Sequence, residues 1–492
     1  MLYKLKIIKA LTNRHFLFLW LWLFTALIFE FPKISSLPPL SIHQGAQVDR
    51  ASIALNYAKV NMNFFEPRVM ETATKDGITP CEFPIINYCV AIIYSFFGPN
   101  PYWYRLLMWC LMGIGLWAIF DILCLWLANW LSALLVTFTW YFGAILAFYT
   151  PNFLPDTASL AFMLLALRHW YFHINHFTKF KILWFTLFIT LACLIKITSL
   201  VFVIAMACVE VMLYLKNQKK SKITLALLFA MAMVMAWIWY CKWLENKVGG
   251  SYFLLNLVAP DSWLQLKEWF HIFYANWFTQ IYSIPQWTLI ALGLLAMPLI
   301  KENKFLKYFA IIALIGTVSI YVLMAGQFRY HDYYSITLLP VFLFFIVFGY
   351  KWLFQLNPWL AYGIVSCVCI WGVIEAKTNF RLRYTKGSYY YQTFFEPSDF
   401  NGVDDWLTKN KVYENDKILA AFDPNPNSLL YFLNRRGCRT FDHNQAYVNE
   451  KLKLYSKLVT DDSSRFFKHY PESRERLKLN STFKSWMLYS LK

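Results

Sequence analysis

Eleven apolar stretches dominate this chain: 15–32, 104–126, 128–149, 157–175, 181–197, 198–215, 222–242, 284–300, 305–325, 333–350 and 357–376. Each is long enough, at roughly 17–25 residues, to cross the hydrocarbon core of a bilayer as a helix. Lipid offers no partner for an open backbone N–H or C=O, so such a set predicts an α-helical polytopic membrane protein. Composition agrees. Charged residues make up only 15% of 492 residues, too few to cover a soluble protein of this size, and aromatic residues make up 20%. An aromatic excess of that kind suits the two membrane interfaces. Disordered, collagen-like and disulfide-stapled secreted classes are excluded. So is a cytosolic nucleic-acid-binding protein, despite a net charge of +18. In a membrane protein that excess fits cytoplasmic loops and anionic headgroups.

Charge density divides the chain near Lys377. Residues 378–492 carry 19 Lys/Arg and 13 Asp/Glu, against 27 and 15 in the much longer 1–377. We therefore expect a membrane domain over 1–377 and an extracytoplasmic α/β domain over 378–492. The first stretch lacks a small-x-small cleavage site and reads as a retained span. With the N-terminus in the cytoplasm, 15 positive charges fall inside: Lys4, Lys6, Lys9, Arg14, Arg168, Lys179, Lys181, Lys216, Lys219, Lys220, Lys222, Lys301, Lys304, Lys307 and Lys351. Twelve fall outside, eight of them in the long segments 32–104 and 242–283, where the positive-inside rule is weak. The segment 84–98 is apolar but short, and reads as a helix lying at the outer interface of a first loop spanning about 33–103.

This topology gathers most carboxylates of the membrane part on the outer face. The first loop holds Asp49, Glu66, Glu71, Asp76 and Glu82; Asp156 opens the fourth span and Asp332 the tenth. Carboxylates beside low-dielectric walls acquire raised pKa values and serve as bases or ligands. For any single acid, solvation in a loop is the competing reading. Asp49 precedes Ala51-Ser52-Ile53-Ala54-Leu55-Asn56-Tyr57-Ala58, where capping a helix is its plain structural role. Arg329-Tyr330-His331-Asp332-Tyr333-Tyr334 concentrates donors, acceptors and rings, against which stands an aromatic belt with a snorkelling Arg. Lys196 and Lys242, at outer span ends, could bind a phosphate as point charges, against which headgroup anchoring is the favoured reading of each.

These residues resemble the GT-C superfamily of lipid-sugar-dependent glycosyltransferases, which includes protein O-mannosyltransferases and lipid A aminoarabinose transferases. Bacterial members read roughly W-R-Q-A-D-T-A-x-I-A-R-N-F, then P-R-V, E-F-P, F-G and a span-opening R-L. Here the order is kept by His43 to Tyr57, Pro67-Arg68-Val69, Glu82-Phe83-Pro84, Phe97-Gly98 and Arg105-Leu106. Asp156, His331 to Tyr334, and Leu430 to Gly437 also match. The W-R is absent, and Arg50 replaces the small residue after the aspartate. The resemblance covers nearly the whole chain. It implies a sugar donor on a polyprenyl phosphate and inverting transfer, outside the cytoplasm, to a lipid, surface glycan or protein in a bacterial inner membrane. It assigns the base to Asp49 and a second acid to Asp156. Arg50, Arg68, Arg105, Arg329, His331, Tyr333 and Tyr334 become candidates for the donor phosphate and substrate, because guanidinium matches phosphate oxygens bidentately. Glu82 with His331 would suit a divalent metal ion, although nothing in the spacing demands one.

In the tail, Lys417 to Phe422 reads as a buried strand, Asp423 to Asn427 as a turn, and Asn427 or Ser428 as the cap of a helix through Asn434. Cys438 to Phe441 reads as the next strand, and the alternation predicts a small α/β domain. The ten cysteines form no framework or metal spacing. A transporter or flippase of lipid-linked glycans is the alternative from another class; no internal repeat supports it. A non-catalytic scaffold is the third.

Overall fold

The computed structural model describes residues 2–175, 181–217, 222–253, 257–441 and 443–492, with side chains from residue 14 onward. Lys179, Lys219 and Lys220 of the orientation set lie outside the described residues, as do the side chains of Lys4, Lys6 and Lys9. Contacts divide the chain into two compact units, each assembled from three segments. The first comprises Met1–Ser36, Tyr104–Ile238 and Leu255–Leu382; the second comprises Leu37–Trp103, Trp239–Leu254 and Arg383–Lys492.

The first unit is helical. Every apolar stretch lies on helix, but the helices differ in length. Among the described residues, five are long and apolar enough to cross a membrane: Pro101–Trp126, Ile197–Lys216, Lys222–Val248, Lys304–Leu323 and Pro358–Tyr384. Two bent pairs qualify jointly, Trp263–Ile281 with Ile284–Leu299 at 96° and Asp332–Leu338 with Pro340–Leu356 at 60°. The segment 242–283, placed outside the spans by the sequence reading, contains the helix Trp263–Ile281. Its Gln265, Lys267, Glu268 and His271 hide it from a hydropathy reading.

The sharper bend has a local cause. Tyr282 and Ser283 are extended, and Ser283 caps the next helix in a reciprocal box with Gln286. Pro285 sits in the new first turn, where a missing N–H costs nothing. Gln286 Nε2 then donates to Thr139 O at 2.6 Å and so ties the break to the helix Trp130–Tyr141. Further along, the helices Ile284–Ala296 and Pro340–Leu356 cross backbone to backbone. A Cβ on Gly293 would fall 1.7 Å from Phe345 O, and one on Gly349 would fall 2.7 Å from Leu289 O. Only glycine permits that approach, the packing mode of small residues between apolar helices.

The second unit combines first-loop helices with a sheet. Gln44–Lys59 and Ile85–Phe97 are helices, the latter only 13 residues long. The sheet holds β1 (Lys417–Ala420), β2 (Arg436–Arg439), β3 (Lys457–Thr460), β4 (Leu477–Phe483) and β5 (Trp486–Leu491), in the order β2-β1-β3-β5-β4. β1 runs parallel to β2 and β3; β5 runs antiparallel to β3 and β4. The expected α/β alternation is thus present.

Side chains alternate across this sheet with the period of two that a strand imposes. Ile418, Ala420, Val459 and Leu488 pack on one face with Trp406, Leu429, Leu430 and Trp486. Leu419, Leu458 and Tyr489 pack on the other with Val448, Leu452 and Phe466. Met70 belongs to the first of these cores. Its segment also lines the outer edge of β2: Gly437 N donates to Met70 O at 3.1 Å, and Thr72 N to Gly437 O at 2.6 Å. An edge strand with open backbone groups is a liability, and here the first loop covers it.

Candidate active site

In the second unit, chemistry collects around Asn427. The helix Gln44–Lys59 starts five residues before Asp49, so Asp49 is not its cap but projects from its second turn. Asn427 Nδ2 donates to Asp49 Oδ1 at 2.8 Å, while Asn427 Oδ1 accepts from Glu71 N at 3.0 Å. The short helix Ser428–Phe432 therefore gains no side-chain cap from Asn427. Asp423 supplies the contact instead, accepting from Leu429 N at 2.5 Å and from Asn425 N at 2.9 Å. Glu71 Oε2 accepts from Arg439 N at 3.1 Å.

Three acids thus share one desolvated region, with different consequences. Burial pushes the Asp49 carboxyl up to about 6, against the lowering influence of Asn427, Arg50 and Arg439. Burial pushes Asp423 up to about 7, and Asp49 adds to the rise. Burial pushes Glu71 up to about 8. Near neutral pH, Asp49 is the member of the set that most readily carries a charge and accepts a proton. Glu71, Asp423, Asn427 and Arg439 were not site candidates from sequence. The signal available was the turn Asp423-Pro424-Asn425-Pro426-Asn427, denser in side-chain amides and acids than a plain reversal requires.

The other first-loop candidates lie in salt bridges. Arg50 Nη2 meets Glu82 Oε2 at 2.6 Å, and its guanidinium lies 4.8 Å from the Phe253 ring centre. Arg68 is shared between Glu66 at 3.0 Å and Asp76 at 3.4 Å. Among the described residues, no three His, Cys, Asp or Glu side chains gather as a metal site. Glu82, the carboxylate expected beside His331 in such a site, is taken by Arg50. That ion pair commits Glu82 to a cation of the chain itself.

In the first unit, the sequence candidates Asp156, His331, Tyr333 and Tyr334 come together around Lys196. Asp156 opens the helix Asp156–Ile174 and is 1% exposed. Lys196, 5% exposed, stands between the helix Ile182–Ile195 and the turn Ile197–Ser199, its backbone extended by the break. Its Nζ lies 3.1 Å from Asp156 Oδ1 and 5.6 and 5.0 Å from the ring centres of Tyr333 and Tyr334. This corrects the reading of Lys196 as a headgroup anchor. The signal was a lone Lys amid apolar neighbours, which in a membrane protein marks a functional position. The His331 ring centre is 5.4 Å from that of Tyr333. Asp332 accepts from Tyr149 Oη at 2.6 Å, and Thr198 Oγ1 meets Thr337 Oγ1 at 2.7 Å, which fixes the two turns together.

Arg105 and Arg329 flank this cluster differently. Arg105 is fully buried; it donates to Pro151 O at 2.7 Å and stacks on Phe153 at 4.6 Å, clamping the loop that leads to Asp156. Arg329 stacks on Trp269 at 4.4 Å and Tyr330 at 4.5 Å. Trp269 also lines an apolar pocket of about 210 Å³ with Phe273, Phe278, Trp287, Tyr321 and Phe342. A cation thus stands at an aromatic pocket.

No protein-family model and no curated protein sequence matches the chain. Solved structures do. ArnT from Cupriavidus metallidurans, bound to undecaprenyl phosphate, aligns over 97% of this chain and 98% of its own, at 11% identity and a TM-score of 0.64. Its apo state aligns with a TM-score of 0.63 at 11% identity, over 98% of each chain. The archaeal oligosaccharyltransferase AglB from Archaeoglobus fulgidus, with an inhibitory peptide and a dolichol-phosphate, aligns over 94% of this chain and 73% of its own, at 10% identity and a TM-score of 0.51. The chain shares their fold, as the resemblance of its motifs implied.

Proposed function

We propose, from the fold shared with ArnT and AglB, that this chain is a GT-C glycosyltransferase. It moves a sugar from a polyprenyl-phosphate donor to an extracytoplasmic lipid, surface glycan or protein. The observation that carries this reading is Asp49, a half-buried carboxylate held by Asn427 and raised to about 6. A base is most effective when its pKa lies near the working pH. The donor class is supported by the undecaprenyl phosphate of the ArnT structure and the dolichol-phosphate of AglB.

In the reaction, Asp49 accepts the proton of the acceptor hydroxyl. The acceptor oxygen bonds the anomeric carbon from the face opposite the phosphate. The carbon–oxygen bond to phosphate breaks, its electron pair leaves with the polyprenyl phosphate, and the configuration inverts. Within the first unit, Lys196, His331, Tyr333 and Tyr334 form a group of cation and donors suited to a phosphate, because preorganised donors stabilise developing negative charge. Arg329 supplies a second cation, and the aromatic pocket takes part of the isoprenoid. Asp156 holds Lys196, and Arg105 clamps the loop that leads to Asp156. We place the N-terminus in the bacterial cytoplasm, with eleven spans and residues 378–492 outside.

The test incubates purified protein with labelled polyprenyl-phosphate sugars and an envelope extract. Sugar transfer is expected, and Asp49→Asn should lower it by about 10²–10⁴-fold with unchanged melting. Full activity in that variant sinks the base assignment. Movement of labelled lipid between leaflets without transfer identifies a flippase instead.

A further inference from the structure

The second unit contains a cleft that the proposed chemistry leaves unused. It measures about 470 Å³ and lies between the end of the helix Gln44–Lys59 and the β1–β2 side of the sheet. Lys59, Lys417 and Arg436 line it, with Asn56, Asn415 and Asn434 between them. Leu55, Val60 and Met70 complete an apolar patch, and Glu414 is the one acid in the lining.

The charges behind this wall are unbalanced. Glu414 pairs with Lys59. Asp76 is shared by three cations: Arg68 at 3.4 Å, Lys417 at 3.2 Å and Arg436 at 3.2 Å. Glu66 is shared by Arg68 and by Lys247 at 3.7 Å. Four cations thus lean on two carboxylates, and two of those cations line the cleft. Arg436 Nε is buried with no hydrogen-bond partner among the described residues. An excess of cations favours an anion, and the gain at the largely buried Arg436 guanidinium exceeds that in open water because the dielectric there is lower. Asparagine amides offer donors and acceptors together, which matches the alternating demands of sugar hydroxyls. An apolar patch suits the C–H face of a sugar ring.

We propose that this cleft binds an anionic saccharide, a phosphate- or carboxylate-bearing part of the acceptor. The assignment rests on the glycosyltransferase reading for the word acceptor, while the binding itself does not. Phosphate and carboxylate share the same recognition by Lys417 and Arg436, so both are tested. The cleft is separate from the Asn427 cluster in its residues, so it would select the acceptor and leave the base untouched.

The test measures binding to full-length protein in detergent, without any donor. The probes are a phosphorylated oligosaccharide, a uronic-acid oligosaccharide, the neutral parent sugar, inorganic phosphate and polyprenyl phosphate. At least one anionic sugar is expected to bind about tenfold or more tighter than the neutral sugar, inorganic phosphate and polyprenyl phosphate. That affinity should fall with added salt and drop about tenfold in Lys417→Gln. Lys59→Gln, at the more exposed rim, provides a second variant should Lys417→Gln fold poorly. Equal binding by the neutral sugar, by inorganic phosphate or by polyprenyl phosphate overturns the proposal. So does wild-type affinity in well-folded variants. Failure of the glycosyltransferase reading looks different: the saccharide binds, yet no sugar leaves a polyprenyl-phosphate donor.

Discussion

Asp49 illustrates how one side chain acquires a working pKa from its surroundings. Desolvation raises it and Asn427 restrains the rise, so the base form dominates above about pH 6. The sign follows directly. Transfer needs the carboxylate, so the rate constant should fall about tenfold per pH unit below that point. An ordinary exposed Asp would place the limb near 4. Removing Asn427 removes a lowering influence, so Asn427→Ala should move the acid limb upward, read from a pH–rate profile. A limb that stays in place would separate Asn427 from the base. Lys196 makes the complementary case. Lys196→Met leaves Asp156 buried without its cation, a change that costs about 3–5 kcal/mol at buried pairs. Thermal unfolding in detergent should show the loss, and Lys196→Met/Asp156→Leu should recover much of it. Neither partnership was legible in the sequence. Asn427 and Asp49 are 378 residues apart, and no periodicity or motif spacing reports such a pairing.

At the scale of elements, the helix Gln44–Lys59 meets the turn 423–427 through a glycine. A Cβ on Gly45 would lie 2.4 Å from Asn425 Nδ2. The Asn425 side chain is not free to swing aside, because its Oδ1 accepts from Asn427 N at 3.1 Å and from Ser428 Oγ at 3.1 Å. In an isolated helix, Gly45→Ala would be favourable by about 1 kcal/mol. Here it should shift the turn that aims Asn427, lowering sugar transfer roughly tenfold or more while melting changes little. Unchanged transfer kinetics would show that the turn yields without consequence. Elements themselves were readable to different degrees. Long apolar runs announced the helices because composition alone identifies them. The strand-turn-helix order around 417–434 was visible because Pro and Asn punctuate it. The helix Trp263–Ile281 was not, since its apolar positions are diluted by charge, and hydropathy cannot tell an amphipathic helix from a loop.

For the whole molecule, the division by contact matters more than the division by charge. Charge density marks a boundary near Lys377, yet Leu37–Trp103 contacts the C-terminal residues as one unit. Met70 sits in the core of the sheet, and Met70 to Thr72 covers the edge of β2. A fragment 378–492 made alone should therefore expose that edge and an unfilled core position. We expect it to aggregate or to melt well below the intact unit. Supplying 37–103 in the same chain through a linker should restore a cooperative transition, read by circular dichroism. A fragment that folds stably by itself would show that the first loop only decorates the sheet.

The covered edge of β2 also has a history during synthesis. Thr72 and its partner Gly437 are 365 residues apart. At a ribosomal rate of about 5–20 residues per second, the first loop waits on the order of tens of seconds for that partner. Arg439, whose backbone N–H meets Glu71, arrives with that same last segment. The surroundings that push the Glu71 carboxyl up to about 8 are therefore complete only when the end of the chain has been made.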